Sequence, residues 1–260
     1  MATSEAPAPT AWARLGTSDV HALSFDPTDA DRLLFGHHGG LLASSDGGRT
    51  WEPTGLAASD AMNVGRLGGE RTQVAGHEVY MESTDGGATW SPVPNNLPGL
   101  DLHAFAVDPG NADRAWTFAA GHGLFRTENA GRDWELLAAN NWGALTAYRR
   151  DGVTVVAAIG PNGLVRSTDG GIAWEPIAYP GAPLAAMSAA PDGSVLYAAT
   201  AAGIRMSADE GETWSDTGFA IQALALAVSP SEPDVLAAVD EQTLFYRSSD
   251  GGSTWPAPPP

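Results

Sequence analysis

Ser44-Ser45-Asp46-Gly47-Gly48-Arg49-Thr50-Trp51 is the stretch that decides the fold, because close copies of it recur along the chain. The later copies end at Trp90, Trp134, Trp174, Trp214 and Trp255, in steps of 39, 44, 40, 40 and 41 residues. The shared pattern is S-x-D-x-G-x-T-W. A period near forty residues with turn residues at fixed offsets is typical of repeat folds and predicts six equivalent units.

Each copy has the composition of a tight hairpin between two extended runs. Glycine supplies the positive φ of the turn, and the serine and aspartate side chains can bind nearby backbone groups. We predict a structural role for the third-position residues, which are Asp46, Asp85, Asn129, Asp169, Asp209 and Asp250. Calcium is not expected at these turns, because each offers a single carboxylate at most.

Two more extended runs precede each hairpin, such as Val20 to Phe25 and Arg32 to Gly36 in the first unit. Each unit therefore contains four strands, a to d, with the hairpin between c and d. Four-stranded antiparallel units of this length are propeller blades, so the sequence predicts an all-β, six-bladed β-propeller. We place the blades at residues 18–55, 60–95, 101–138, 142–178, 183–218 and 221–255.

The chain ends indicate how the ring closes. Only a proline-rich tail, residues 256–260, follows the last hairpin, so the sixth blade lacks an outer strand. Residues 11–16 resemble an unpaired d strand, and we expect them to complete blade six and so remove an open sheet edge. Residues 1–10 are expected to form a disordered tail, which leaves residues 11–255 as a single propeller.

The hairpin pattern resembles the Asp-box (BNR) repeat of sialidases, sortilin-like receptors and photosystem II assembly factors. The resemblance covers nearly the whole chain and implies the propeller fold. It implies several functions, because one fold hosts many activities. Bacterial proteins of this type often carry the label glycosyl hydrolase.

Composition narrows the function classes. The chain has 260 residues, no cysteine, no lysine and a formal net charge of −18. The absence of cysteine excludes disulfides and thiolate chemistry, and the acidic charge argues against nucleic acid as a partner. No apolar stretch has the length of a membrane span. We expect a monomer, and an exported location is favoured over the cytoplasm.

All six histidines fall on one predicted face, the upper face, where strands a begin and b–c turns lie: His21, His37, His38, His77, His103 and His122. Met62 takes the equivalent place in blade two. Imidazole and thioether suit copper and zinc, and Glu78, Asp101 and Asp19 are placed to orient the rings. The sequence therefore predicts a copper site, or less favourably a zinc site, on blades one to three. Ordinary hydrogen bonding or duplicated turn packing is the alternative interpretation.

Two other functions stay open. The first is a protein- or glycan-binding scaffold or assembly factor, with Trp142 and Tyr179 in upper loops as contact residues. The second is a glycoside hydrolase of sialidase-like fold. The sialidase resemblance implies three arginines on the upper face, whereas this chain places its arginines near the lower hairpins. Upper carboxylates such as Asp60 and Asp240 form no recognisable catalytic pair, so we do not favour an enzyme.

Overall fold

Six four-stranded antiparallel sheets follow one another around a central channel in the computed structural model, which describes residues 8–181 and 183–259. The innermost strands are Ala22–Phe25 (β2), Asn63–Gly68 (β6), Leu102–Asp108 (β10), Gly143–Arg150 (β14), Leu184–Ala189 (β18) and Ala223–Val228 (β22). Each contacts the innermost strand of the next blade, and β22 contacts β2, so the ring is closed. The predicted all-β, six-bladed propeller is confirmed.

The second strands, b, are Leu33–His37 (β3), Arg71–Gly76 (β7), Asn111–Ala119 (β11), Val153–Gly160 (β15), Leu196–Thr200 (β19) and Leu236–Asp240 (β23). The third strands, c, are Gly40–Ser44 (β4), Val79–Ser83 (β8), Gly123–Thr127 (β12), Gly163–Ser167 (β16), Gly203–Ser207 (β20) and Leu244–Ser248 (β24). The outer strands, d, are Glu52–Ala57 (β5), Ser91–Pro92 (β9), Trp134–Ala138 (β13), Glu175–Pro176 (β17), Ser215–Asp216 (β21) and, for blade six, Ala13–Arg14 (β1).

Blade six is completed by the N-terminal strand. β1 pairs antiparallel with β24, and the amide of Trp12 donates to the carbonyl of Phe245 at 2.7 Å. The amides of Thr10 and Leu15 donate to the carbonyls of Trp255 and Thr243. The predicted closure by the N-terminal strand is therefore confirmed. Residues 1–7 and 260 of the expected tails lie outside the described part of the chain.

The hairpin residues hold one another by a repeated set of hydrogen bonds. In blade one the Ser44 hydroxyl donates to Asp46 Oδ1 at 2.8 Å and accepts from the Gly48 amide. Asp46 also accepts from the amide and the hydroxyl of Thr50, and the Trp51 indole donates to the Gly48 carbonyl. One side chain thus satisfies several turn donors that would otherwise lack partners.

Blade three keeps the same turn with different chemistry. Asn129 replaces the aspartate, and its Nδ2 donates to Asp133 Oδ2 at 2.7 Å, while the amide of Asp133 donates to Asn129 Oδ1. In blade three the carboxylate therefore stands at the later of the two positions, residue 133, and its hydrogen-bond partner at the earlier one, residue 129.

The aspartates of these turns should make the folded state less stable in acid. Hydrogen bonds from Thr89 lower the pKa of Asp85 to about 2, and hydrogen bonds from Thr213 lower the pKa of Asp209 to about 2. A carboxyl whose pKa is lower in the folded state adds stability above its unfolded pKa and loses it as pH falls. We therefore expect the urea concentration at the unfolding midpoint to decrease as the pH is lowered from about 4 to about 2.

The matched variant is Asp85→Asn, whose blade-two turn no longer titrates. Its urea midpoint should therefore decrease less than that of the native chain as the pH is lowered. Equal urea midpoints for the native chain across that pH range would contradict this stabilising role.

In residues 8–181 and 183–259, no helix has the length and apolar character needed to cross a membrane.

Candidate functional site

The upper face carries a repeated motif where the innermost strands of blades one to three begin, Asp-x-His in blades one and three and Asp-x-Met in blade two. The copies are Asp19-Val20-His21, Asp60-Ala61-Met62 and Asp101-Leu102-His103. Ala22, Asn63 and Ala104 pair with the end of strand b in their own blades and so occupy equivalent positions. The residues directly before them, His21, Met62 and His103, are therefore equivalent as well. Equivalent side chains therefore point to equivalent places around the rim.

Histidines of the b–c turns lie between these aspartates. His38 Nδ1 is 2.5 Å from Asp19 Oδ2, and its Nε2 is 3.4 Å from Asp60 Oδ2 in the next blade. His77 repeats the arrangement, with Nδ1 2.6 Å from Asp60 Oδ2 and Nε2 3.0 Å from Asp101 Oδ1. Each turn histidine thus bridges the aspartate of its own blade and that of the next blade.

The strand-entry histidines join this row from the channel side. His21 Nε2 lies 3.3 Å from both His38 Nδ1 and Asp60 Oδ1. His103 Nε2 lies 2.8 Å from Asp101 Oδ1 and 3.3 Å from His77 Nε2. We call the three aspartates and four histidines the rim cluster: Asp19, His21, His38, Asp60, His77, Asp101 and His103.

Asp60 lies at the centre of the rim cluster and is the least exposed of its carboxylates. Its side chain is 10% exposed, against 21% for Asp19 and 47% for Asp101. Three imidazole nitrogens lie within 3.4 Å of its oxygens. However, both oxygens are buried, and neither makes a hydrogen bond of good geometry with the described residues.

The pKa values of the rim-cluster residues in blade one are shifted from their ordinary values in different directions. Burial raises the pKa of Asp19, but hydrogen bonds from the Ser18 hydroxyl and from the amide and ring of His38 outweigh it and lower that pKa to about 2. The bond to Asp19 raises the pKa of His38. Burial lowers the pKa of His21. Asp19 is therefore ionised at neutral pH, and His38 is more readily protonated than His21.

The remaining predicted ligands lie elsewhere. His37 stacks on Phe35, with ring centroids 6.1 Å apart, and its Nδ1 accepts from the Gly39 amide. His122 lies against Gly99, and its side chain approaches no member of the rim cluster within the ion-pair and hydrogen-bond distances of the described residues. Glu78 has a positive φ of 55° in the b–c turn of blade two and is exposed.

His122 occupies a different turn position from His38 and His77. It is the last residue of a three-residue b–c turn, whereas His38 and His77 are the first residues of two-residue turns. By strand register Trp142 stands in blade four where Asp101 stands in blade three, since Gly143 pairs in the place of Leu102. Trp142 is buried, with its ring centroid 4.6 Å from that of Trp174. It packs between strands, whereas Tyr179 is 44% exposed and remains available for contact.

The central channel opens beside the rim cluster. Its upper mouth is a cavity of about 440 Å³, and His21, Met62 and His103 form one wall. The opposite wall belongs to blades four to six and is apolar apart from Ser188; it includes Ala144, Ala185, Ala186, Met187 and Leu224. The polar side chains of the mouth are thus concentrated on the side of blades one to three, where His21, Asn63 and His103 lie among apolar residues.

Sequence reasoning missed Asp60 as a member of this site. The sequence offered Asp60 only as half of a catalytic carboxylate pair, whereas the predicted metal site comprised the histidines and Met62, with Asp19, Asp101 and Glu78 as ring-orienting groups. The signal was present, because Asp60 precedes Met62 by the same two residues that separate Asp19 from His21.

A family model described as Photosynthesis system II assembly factor YCF48 matches residues 10–259. The chain belongs to this family. The match spans all six blades and the closing strand, and it agrees with the BNR-type propeller expected from the repeats.

Individual relatives share the fold at low identity. A solved structure of YCF48 bound to D1 peptide is 24% identical, with a TM-score of 0.56, and the match covers 98% of this chain and 84% of that one. The GH74 xyloglucanase from Xanthomonas campestris is 18% identical, with a TM-score of 0.62, over 95% of this chain and 46% of the enzyme. A curated xyloglucanase from Paenibacillus sp is 26% identical over 94% of this chain, which spans 27% of that enzyme's length.

The family membership corrects one prediction. The sequence predicted a copper- or zinc-binding propeller as the main function, and this prediction is wrong: the family points to the scaffold and assembly-factor alternative. The physical source of the error is visible in the rim cluster. Gathered imidazoles were interpreted as metal ligands, with Asp19 and Asp101 only as groups that orient the rings, and Asp60 between them was left out. Glycosyl hydrolase character is not confirmed either, and occupation of the cluster by a metal ion stays a prediction.

Proposed function

We propose that this chain is an assembly factor that binds a segment of another polypeptide in the upper mouth of its channel. The family supports the first half of this proposal, because its description is that of an assembly factor. A relative that binds D1 peptide supports the second half. Binding, rather than catalysis, is the activity for which the upper face is best suited.

The observation that carries the proposal is the pair of unlike walls at the mouth. Backbone groups and polar side chains of a peptide can bond to His21 and His103, while its apolar side chains can pack on Ala185 and Leu224. A space of about 440 Å³ lies within the usual range for ligand sites. Met62 and Met187 line the same space, and flexible thioethers adapt to varied apolar partners.

Small side chains keep the mouth open. Ala144, Ala185 and Ala186 occupy positions at the start of two innermost strands, where larger residues would fill the space. Ala185 is exposed, so a larger side chain can be introduced there without disturbing the core.

The test is peptide binding with the mouth blocked. We expect the native chain to bind a member of a synthetic panel that includes the D1 peptide, measured by fluorescence anisotropy. Ala185→Trp should weaken that binding by about tenfold or more, because the indole occupies the space of the peptide.

The control places the same ring on the other face. Ile172, which is 70% exposed in the c–d hairpin of blade four, can be changed to Trp without reaching the mouth. Binding equal to that of the native chain is expected for Ile172→Trp. If no panel member binds, or if Ala185→Trp binds as tightly as the native chain, the mouth is not a peptide site.

A further inference from the structure

The rim cluster is more acidic than its histidines suggest. It holds three aspartates, and among the described residues no arginine lies within ion-pair distance of any of them. The arginines for which ion pairs are seen reach other carboxylates, such as Asp26, Glu82 and Glu175. The cluster therefore has no fixed positive partner on its own chain.

Asp60 makes this lack of a cation costly. A carboxylate that is nine-tenths buried and has no hydrogen bond to either oxygen is unfavourable unless a positive charge compensates it. The surrounding imidazoles compensate this charge fully only where one of them is protonated. Because Asp60 lies between blades one and two, the place where a positive charge would be most stabilising is the middle of the rim cluster.

The rim offers a cation both charge and hydrogen-bond acceptors. His38, His77 and Asp101 have side chains that are 54%, 45% and 47% exposed, so a partner can reach them from solvent. Two imidazole pairs face each other nitrogen to nitrogen at 3.3 Å. Because a neutral imidazole donates from one nitrogen only, such rings leave acceptors for an incoming donor.

A guanidinium group fits this set better than a point charge does. It is always charged and carries five N–H donors in a plane, which can reach several neighbouring acceptors at once. The chain as a whole has a net charge of −18, so long-range attraction would bring a basic segment toward it.

We propose that the polypeptide segment bound at the mouth carries a basic residue, arginine before lysine, whose side chain docks on the rim cluster. This inference rests on the proposed function and names the chemistry of its partner. The basic side chain lies over His38, His77 and Asp101, with Asp60 beneath them supplying charge. The neighbouring residues of the segment lie against the apolar wall.

The test compares apolar synthetic peptides with blocked ends that differ at one central residue, which is arginine, citrulline or glutamate. Citrulline keeps the shape of arginine and removes its charge. We expect the arginine peptide to bind about tenfold more tightly than the citrulline peptide in NMR titrations with EDTA present, and the glutamate peptide to bind most weakly.

Charge variants locate the preference. Asp101→Asn and Asp60→Asn should each reduce the arginine-to-citrulline ratio to about threefold or less, while the citrulline peptide keeps its affinity. Asp101 is exposed, so its variant gives a result even if Asp60→Asn does not fold. The matched control is Glu241→Gln, which removes one charge from the b–c turn of blade six on the same face and should leave the ratio unchanged.

The outcomes separate the two proposals. Equal binding of the arginine and citrulline peptides overturns the inference and leaves the mouth as a peptide site. Binding by none of the peptides, together with failure of the wider panel, removes the proposed function and the inference together. An arginine preference that vanishes in EDTA and returns with zinc also overturns the inference, because a metal ion would then be the cation of the cluster.

Discussion

A chain shortened to begin at Gly16 is expected to lose about 4 kcal/mol of its free energy of unfolding. The deletion removes the three backbone hydrogen bonds that tie Thr10, Trp12 and Leu15 to blade six, each of which contributes about 1 kcal/mol. It also removes apolar side chains that pack on Phe245 and Val239, and burial of each contributes on the order of 1 kcal/mol. Such a loss is a large fraction of the stability of a typical domain.

The measurement is thermal or urea unfolding followed by circular dichroism. A loss of this size should lower the melting temperature by roughly 10 °C for a chain of this length. Arg14→Ala is the control, because it keeps β1 and gives up only the Arg14 contact with the Gln242 carbonyl, so a change below about 1 kcal/mol is expected. An unchanged melting temperature for the shortened chain would show that blade six is stable with three strands.

Trp116→Ala is expected to be similarly damaging, at about 4 kcal/mol. Trp116 on β11 is fully buried between blades three and four, and its indole N–H donates to the Gly170 carbonyl in the next blade's hairpin at 3.0 Å. Removing the ring leaves a cavity, and the Gly170 carbonyl keeps only its hydrogen bond from Arg126 Nη1 at 3.2 Å. Both losses fall on the contact between adjacent blades.

Two variants separate these contributions. Trp116→Phe keeps most of the apolar volume and removes the hydrogen bond, so we expect a loss of about 1–2 kcal/mol. Ile172→Ala, which trims a side chain that is 70% exposed in the same hairpin of blade four, should change the unfolding free energy by less than about 0.5 kcal/mol. Equal losses for the alanine and phenylalanine variants would show that the hydrogen bond, and not the buried ring, dominates.

The fold was predictable because its signal is local and repeated. A turn such as Asp46-Gly47-Gly48 determines the hairpin around it through contacts within a few residues. Closure by residues 11–16 followed from the missing outer strand of blade six. Neither inference required knowledge of how distant side chains meet.

The site was harder because its contacts cross blades. The spacing of Asp60 before Met62 is visible in the sequence, but its closeness to His38 depends on how blade two is rotated against blade one. His122 shows the opposite case, since its Gly-His sequence looks like that of His77, but it is the last residue of a three-residue turn, whereas His77 is the first residue of a two-residue turn. In blade four the place of the rim aspartates is taken by the buried Trp142, so that blade offers no carboxylate there.

The pairing of β1 with β24 also determines the order in which the molecule can be built. The indole of Trp12 bonds to the carbonyl of Pro256, a residue 244 positions away, whereas strands within a blade are joined by short loops. Closing so long a segment costs more chain entropy than forming a hairpin, and such contacts form late and slow the folding of β proteins. During synthesis the N-terminal strand emerges first and must wait for blade six. The first strand of the propeller is therefore the last to find its place, and the ring closes only after blade six has been made.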